Sequence, residues 1–96
     1  MTDILWRTGA KRTYLDEFFR YEMIRVGLGD EFELCVEDAL DGIVTYPKLC
    51  RVITRNIKRR LVKRFPFHIY YIVRSGHIEI IGFRSARMKP KVRFTK

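Results

Sequence analysis

Lys58, Arg60 and Arg64 recur at even spacing at the start of a stretch, residues 57–90, that also carries His68, His77, Arg84, Arg87 and Lys89. In an extended chain successive side chains point to opposite sides, so even spacing gathers these cations on one face. Ammonium and guanidinium groups held on a rigid sheet attract an anionic partner: nucleic acid, a ribosome or an acidic protein. Charge of this kind binds phosphate but moves no proton. His68 and His77 titrate near neutral pH, so either could act as a base, and either could equally be a polar residue at a strand end.

The elements that must position these groups read as three successive strands, because apolar and polar residues alternate with a period near two. In the first, Ile57, Leu61 and Phe65 oppose the face of Lys58, Arg60 and Arg64. The second, residues 68–74, has Ile69, Tyr71 and Val73 on one side and Tyr70 and Ile72 on the other. Both faces are apolar, which suits a central strand covered on both sides. One of the two adjacent tyrosine rings must enter the core and the other must face outward. Ser75 and Gly76 form a two-residue hairpin connection, residues 77–84 return, and a basic tail, residues 85–96, follows.

Upstream, residues 3–7 read as a short strand with Ile4 and Trp6 on one face and Leu5 on the other. Thr8 is placed to cap a helix over residues 10–26, whose apolar stripe is Leu15, Phe18, Phe19, Met23 and Val26, widened by Tyr14 and Tyr21. Gly27 ends that helix. Asp30, with Glu33 three residues on, has the capping-box pattern for a second helix, whose core face is Phe32, Val36, Ala39, Leu40, Ile43 and Val44. Pro47 closes it, and residues 48–56 read as a basic loop. Two helices joined this closely lie antiparallel, and their stripes need a common surface, which the sheet supplies. The expected fold is α+β in the order β-α-α-β-β-β: a helical hairpin on one face of a mostly antiparallel four-stranded sheet, the other face open.

The 96 residues suffice for one domain, residues 1–96, with a single modest core. An apolar fraction of 47% and an aromatic fraction of 14% exclude a disordered basic segment. No apolar run is long enough to span a membrane and no signal peptide opens the chain, so the expected setting is the cytoplasm, with no membrane partner. Cys35 and Cys50 match no metal-ligand spacing, and neither a metal nor a cofactor is expected. The net charge of +9 is unevenly divided. Residues 1–47 hold five Lys or Arg against ten Asp or Glu, net −5, whereas residues 48–96 hold fifteen against Glu79 alone, net +14.

The Trp6 strand, the Gly27-Leu28-Gly29-Asp30-Glu31-Phe32 junction, the Tyr46-Pro47 helix end and above all Lys63-Arg64-Phe65-Pro66-Phe67-His68-Ile69-Tyr70-Tyr71, followed by Arg87 and Pro90, are specific enough to compare. Together they resemble the RelE/ParE superfamily of bacterial type II toxin-antitoxin systems. The resemblance implies a small basic toxin held inactive by a cognate antitoxin that wraps it. It also implies one of two targets: messenger RNA on the ribosome, cut by RelE-like members, or DNA gyrase, blocked by ParE-like members without a recognised catalytic site.

RNA cleavage needs a base for the 2′-hydroxyl, cations for the phosphate and an acid for the leaving oxygen. For an endoribonuclease the candidates are His68 as base with Lys58, Arg60, Arg64 and Arg87 around the phosphate. Where the resemblance implies an arginine after Phe-Pro-aromatic, this chain has His68, and the C-terminal tyrosine slot falls at Phe94, which has no hydroxyl. The missing proton-transfer groups favour the ParE-like, noncatalytic gyrase inhibitor over the RelE-like endoribonuclease. In that reading Arg60, Arg64, Arg84, Arg87 and Lys89 contact the target.

Overall fold

The computed structural model describes residues 3–50 and 52–87. The chain runs β1 (Asp3–Trp6), α1 (Thr8–Ile24), α2 (Leu28–Thr45), β2 (Val52–Thr54), β3 (Ile57–Leu61), β4 (Phe67–Arg74) and β5 (His77–Ser85). The sheet order is β1-β5-β4-β3-β2, with β1 parallel to β5 and the other neighbours antiparallel. The α+β class and helical hairpin are as expected, but the sheet has five strands, not four. The added strand, β2, lies in the segment read as a basic loop. Its three residues carry too short an alternation to stand out in sequence, and it exists because Val52 and Thr54 pair with Lys58 and Ile57 of β3.

The hairpin packs on one face of the sheet around Phe32, which is fully buried. Its ring centroid lies 5.0 Å from Tyr21, 5.2 Å from Phe65, 5.6 Å from Tyr14 and 5.9 Å from both Phe67 and Phe83. In α2 the expected face holds, with Phe32, Val36, Ala39 and Ile43 buried. In α1 it does not. The buried residues are Ala10, Tyr14 and Tyr21, with Phe18 packed at the margin, while Leu15, Phe19 and Met23 are exposed, as is Val26, which lies past the helix end at Ile24 rather than within the helix as expected. Positions 10, 14, 18 and 21 also form a stripe with steps of four, four and three. Both stripes satisfy the helical period, and the one with the tyrosines meets the Phe32 and Phe83 rings.

The helix boundaries also move. Helix α1 begins at Thr8, with Arg7 rather than Thr8 at the cap position. Helix α2 begins at Leu28, before the Asp30–Glu33 pattern, and its cap residue Gly27 has φ 90°, a left-handed conformation that favours glycine. Gly27 has no side chain with which to cap, so Glu22 of α1 takes over. Its two carboxylate oxygens accept hydrogen bonds from the Gly27 and Gly29 N–H groups, each at 2.9 Å. The expected Gly76 turn is present, at φ 84°.

On β4, Phe67, Ile69 and Tyr71 enter the main core, whereas Tyr70 joins Ile57, Ile81 and Ile72 in a small cluster on the helix-free face. A bulge on β5 makes this possible: Tyr70 lies opposite Gly82 and Tyr71 opposite Ile80, leaving Ile81 as the extra residue. Ile78, Ile80 and Phe83 therefore all face the helices, and Ile81 faces away.

Candidate functional site

Strand β3 places its cations differently from the even-spacing reading. Residues directly opposite across paired strands share a face, and Lys58 and Arg60 lie opposite Tyr71 and Ile69, both core residues. Lys58 and Arg60 therefore project to the helix side. Lys58 Nζ donates to the Cys50 carbonyl at 2.8 Å, and the Arg60 guanidinium packs over Gly42, where even an added Cβ would overlap it. Beside them the Tyr71 hydroxyl donates to the Pro47 carbonyl at 3.4 Å, and burial, followed by the neighbouring Cys50, pushes its pKa up. Arg60 thereby meets the last turn of α2, where the helix dipole is negative, and Lys58 holds the loop that follows it.

Arg64 does not share their face, because β3 ends at Leu61. It sits in the β3–β4 connection at φ 71°, and its Nη2 lies 2.9 Å from Glu31 Oε1 at the start of α2. Arg25 pairs with the other Glu31 oxygen at 3.0 Å. Hydrogen bonds from Arg64 and then Arg25 hold the Glu31 carboxyl below its ordinary range.

On the helix-free face His68 lies directly opposite Arg84, and Arg59 lies opposite Tyr70 two residues along. Arg59 escaped the sequence reading because it shares the face of Ile57 and Leu61, which that reading took as wholly apolar. His68 Nδ1 is buried and has no hydrogen-bond partner. Burial, and secondarily the Arg59 charge, lowers the His68 pKa, so the imidazole is neutral at physiological pH. Tyr70 is only 1% exposed between its aliphatic neighbours and offers no face for a stacked base. His77 stands at the opposite end of the sheet, beside Arg74 and Asp3.

Where β5 leaves the sheet, the Ala86 N–H donates to the Pro66 carbonyl at 2.7 Å, which ties the chain end to the Phe65-Pro66-Phe67 turn. A cleft of about 410 Å³ opens there between α1 and the ends of β4 and β5. Arg84 and Arg87 line it, and α1 adds Arg20 and Thr13, which nothing in the C-terminal motif could reveal. Glu17 is the one carboxylate in the lining among the described residues, and it is held by Arg20 Nε at 2.6 Å. Lys89, Pro90 and Phe94 lie outside the described residues.

The candidate residues thus occupy three places: Arg60 at the end of α2 with Lys58 on the loop that follows it, Arg64 on Glu31, and His68, Arg84 and Arg87 along the helix-free face and its adjoining cleft. The third place, with Arg59 and Arg20 added, can hold an anion. Among the described residues no group of His, Cys, Asp or Glu is placed to hold a metal ion, and no helix is long and apolar enough to cross a membrane.

The fold has a solved counterpart. A chain described as the chromosomal ParDE TA system from P. aeruginosa superposes with a TM-score of 0.63, over 88% of this chain and 96% of that one, at 13% sequence identity. The fold is that of a ParDE-system chain. No protein-family profile and no curated protein matches the sequence. The ParDE-like fold accounts for the motif that carried the resemblance, since Phe65 and Phe67 are buried on either side of Pro66 and anchor the turn to Phe32.

Proposed function

We propose that the protein is the toxin of a bacterial type II toxin-antitoxin pair, neutralised in the cytoplasm by a cognate antitoxin, and that it acts by binding, with DNA gyrase as its target. The fold shared with a ParDE-system chain and the Phe-Pro-Phe motif support the toxin reading. One observation carries the binding mode: the cations that a ribonuclease would gather around one phosphate are spread over three separate sites, two of them engaged with α2. Arg59 and Arg84 on the helix-free face, with Arg87 and the Glu17-paired Arg20 at the adjoining cleft, suit electrostatic attachment to an anionic surface. The purified protein should inhibit gyrase supercoiling and trap cleaved DNA while leaving ribosome-bound messenger RNA intact. Intact supercoiling together with cut transcripts would reverse this reading.

A second reading, a RelE-like ribosome-dependent endoribonuclease, is favoured by His68 itself. A neutral imidazole beside Arg59 and Arg84 could take the 2′-hydroxyl proton as the 2′-oxygen attacks phosphorus. The 5′-oxygen would leave with a proton from water, the guanidinium groups stabilising the phosphate charge. In that case expression should truncate transcripts within codons, and His68→Ala should abolish the cuts.

A further inference from the structure

Arg87 lies two residues past the end of β5, beyond the ladder that holds Arg84 opposite His68. A long cation on an untethered chain end gives up much freedom when it meets a partner, and that loss weakens binding. Two hydrogen bonds hold the backbone here in place of the ladder. The Ala86 N–H donates to the Pro66 carbonyl at 2.7 Å, and the Arg87 N–H donates to Ser85 Oγ at 3.2 Å. The Pro66 acceptor is fixed in its turn. The Phe67 N–H donates to the Phe65 carbonyl at 2.8 Å, a bond across one residue that makes Pro66 the centre of a γ-turn. Among the described residues other than glycine, positive φ is confined to Arg55 and Arg64, so the turn is of the inverse kind. Its central φ is about −75°, and the proline ring holds φ at about −65° without help from any other contact.

On either side of Pro66 the rings of Phe65 and Phe67 are buried, Phe65 at 4.9 Å from Tyr21 and Phe67 at 5.1 Å from Phe83. The Val62 N–H closes the connection by donating to the Phe67 carbonyl at 2.9 Å. At the entry Arg64 reaches Glu31 of α2 and sets its guanidinium 5.6 Å from the Phe65 ring centroid. The Pro66 carbonyl is therefore held by the core, although the residue itself is exposed. We propose that Pro66 is a positioning residue: through its carbonyl and the Ala86 N–H it aims Arg87 into the cleft between α1 and the ends of β4 and β5. The use of that cleft on gyrase rests on the function proposed above, while the coupling of Pro66 to residues 86 and 87 rests on the hydrogen bonds alone. Pro66 also lines the cleft, so direct contact with the target is the rival explanation. The two differ in a double-mutant cycle, because a residue that acts only through Arg87 has nothing left to contribute once that side chain is gone.

The test compares the full chain as wild type, Pro66→Ala, Arg87→Ala and the double variant, by amide hydrogen exchange in the free protein and by inhibition of gyrase supercoiling. Pro66→Ala frees the turn, so the Ala86 N–H should exchange faster. Inhibition should weaken about 2- to 5-fold, the scale of a proline's hold on its backbone. In the Arg87→Ala background the same substitution should weaken it no further. Ala86→Pro deletes the donor of the same bond and leaves the turn intact; it should reproduce the loss, and it carries the test if Pro66→Ala does not fold. Unchanged exchange at Ala86, or faster exchange with full inhibition, would overturn the positioning role. A loss that adds to that of Arg87→Ala would overturn it in favour of direct contact by Pro66. A wild type that leaves supercoiling intact would overturn the gyrase reading, and with it the role of Arg87 there, while the exchange rates would still judge the coupling of Pro66 to Ala86.

Discussion

Removing the Glu22 carboxylate should melt the protein early, because one side chain closes the start of the next helix. In Glu22→Ala the N–H groups of Gly27 and Gly29 lose an ionised acceptor that each meets at 2.9 Å. The first N–H groups of a helix have no partner within it, and Gly27 at the cap position provides none. Water replaces part of what is lost, so each bond contributes about 1 kcal/mol, ~2 kcal/mol for the pair, within the range measured for helix caps. For a domain of this size that corresponds to a fall in Tm of roughly 8–16 °C. Glu22→Gln keeps one neutral acceptor and should lose about half as much. Gly29→Ala attacks the same contact from the other side, since an added Cβ would lie 2.9 Å from Glu22 Oε1 and 2.9 Å from the Phe18 carbonyl. Its effect should therefore fall short of additive when combined with Glu22→Ala. The assay is thermal unfolding followed by far-ultraviolet circular dichroism, with Glu37→Ala, an exposed acid on α2, as the control for removing charge. If Glu22→Ala melts within ~2 °C of the wild type, the capping account is wrong.

Arg60→Ala should lower the urea midpoint by the equivalent of about 1–2 kcal/mol through the α2 terminus, yet leave inhibition per folded molecule unchanged; lost inhibition with full stability would move Arg60 to the target surface. Arg84→Ala with Arg87→Ala should weaken target inhibition about 10-fold and flatten its salt dependence, read from supercoiling assays at several ionic strengths. The His68 ring should titrate by NMR below its ordinary value of 6.5. Because that pKa is depressed in the folded state, His68 contributes stability at neutral pH that is lost as pH falls through the folded value. Glu79 lies 2.7 Å from Arg7 and 3.0 Å from Arg74, and chiefly Arg7 holds its carboxyl below 4.5. The stability advantage of the wild type over Glu79→Gln should therefore be complete above 4.5 and vanish as pH drops through the folded pKa, as acid titrations of both proteins would reveal.

Much of this protein was legible in its residues alone. Alternation along 57–85, the two-residue turn at Gly76 and the clean face of α2 follow from backbone geometry and periodicity, which are local properties. The charge division between the chain's halves is likewise a matter of composition. Tertiary structure decided the rest, wherever two local solutions were equally good or a contact spanned the chain. Helix α1 has two apolar stripes, and only the Phe32 and Phe83 rings chose between them. The bulge at Ile81 resets which β5 side chains reach the core, so alternation could not be carried through it. Strand β2 exists only by pairing with β3. Most important for function, Lys58 and Arg60 read as a binding row, yet the sheet turns them toward the end of α2, while Arg59, His68 and Arg84 gather on the open face. A strand's alternation says which residues lie together, but which side meets the helices is settled by the packing of the whole sheet.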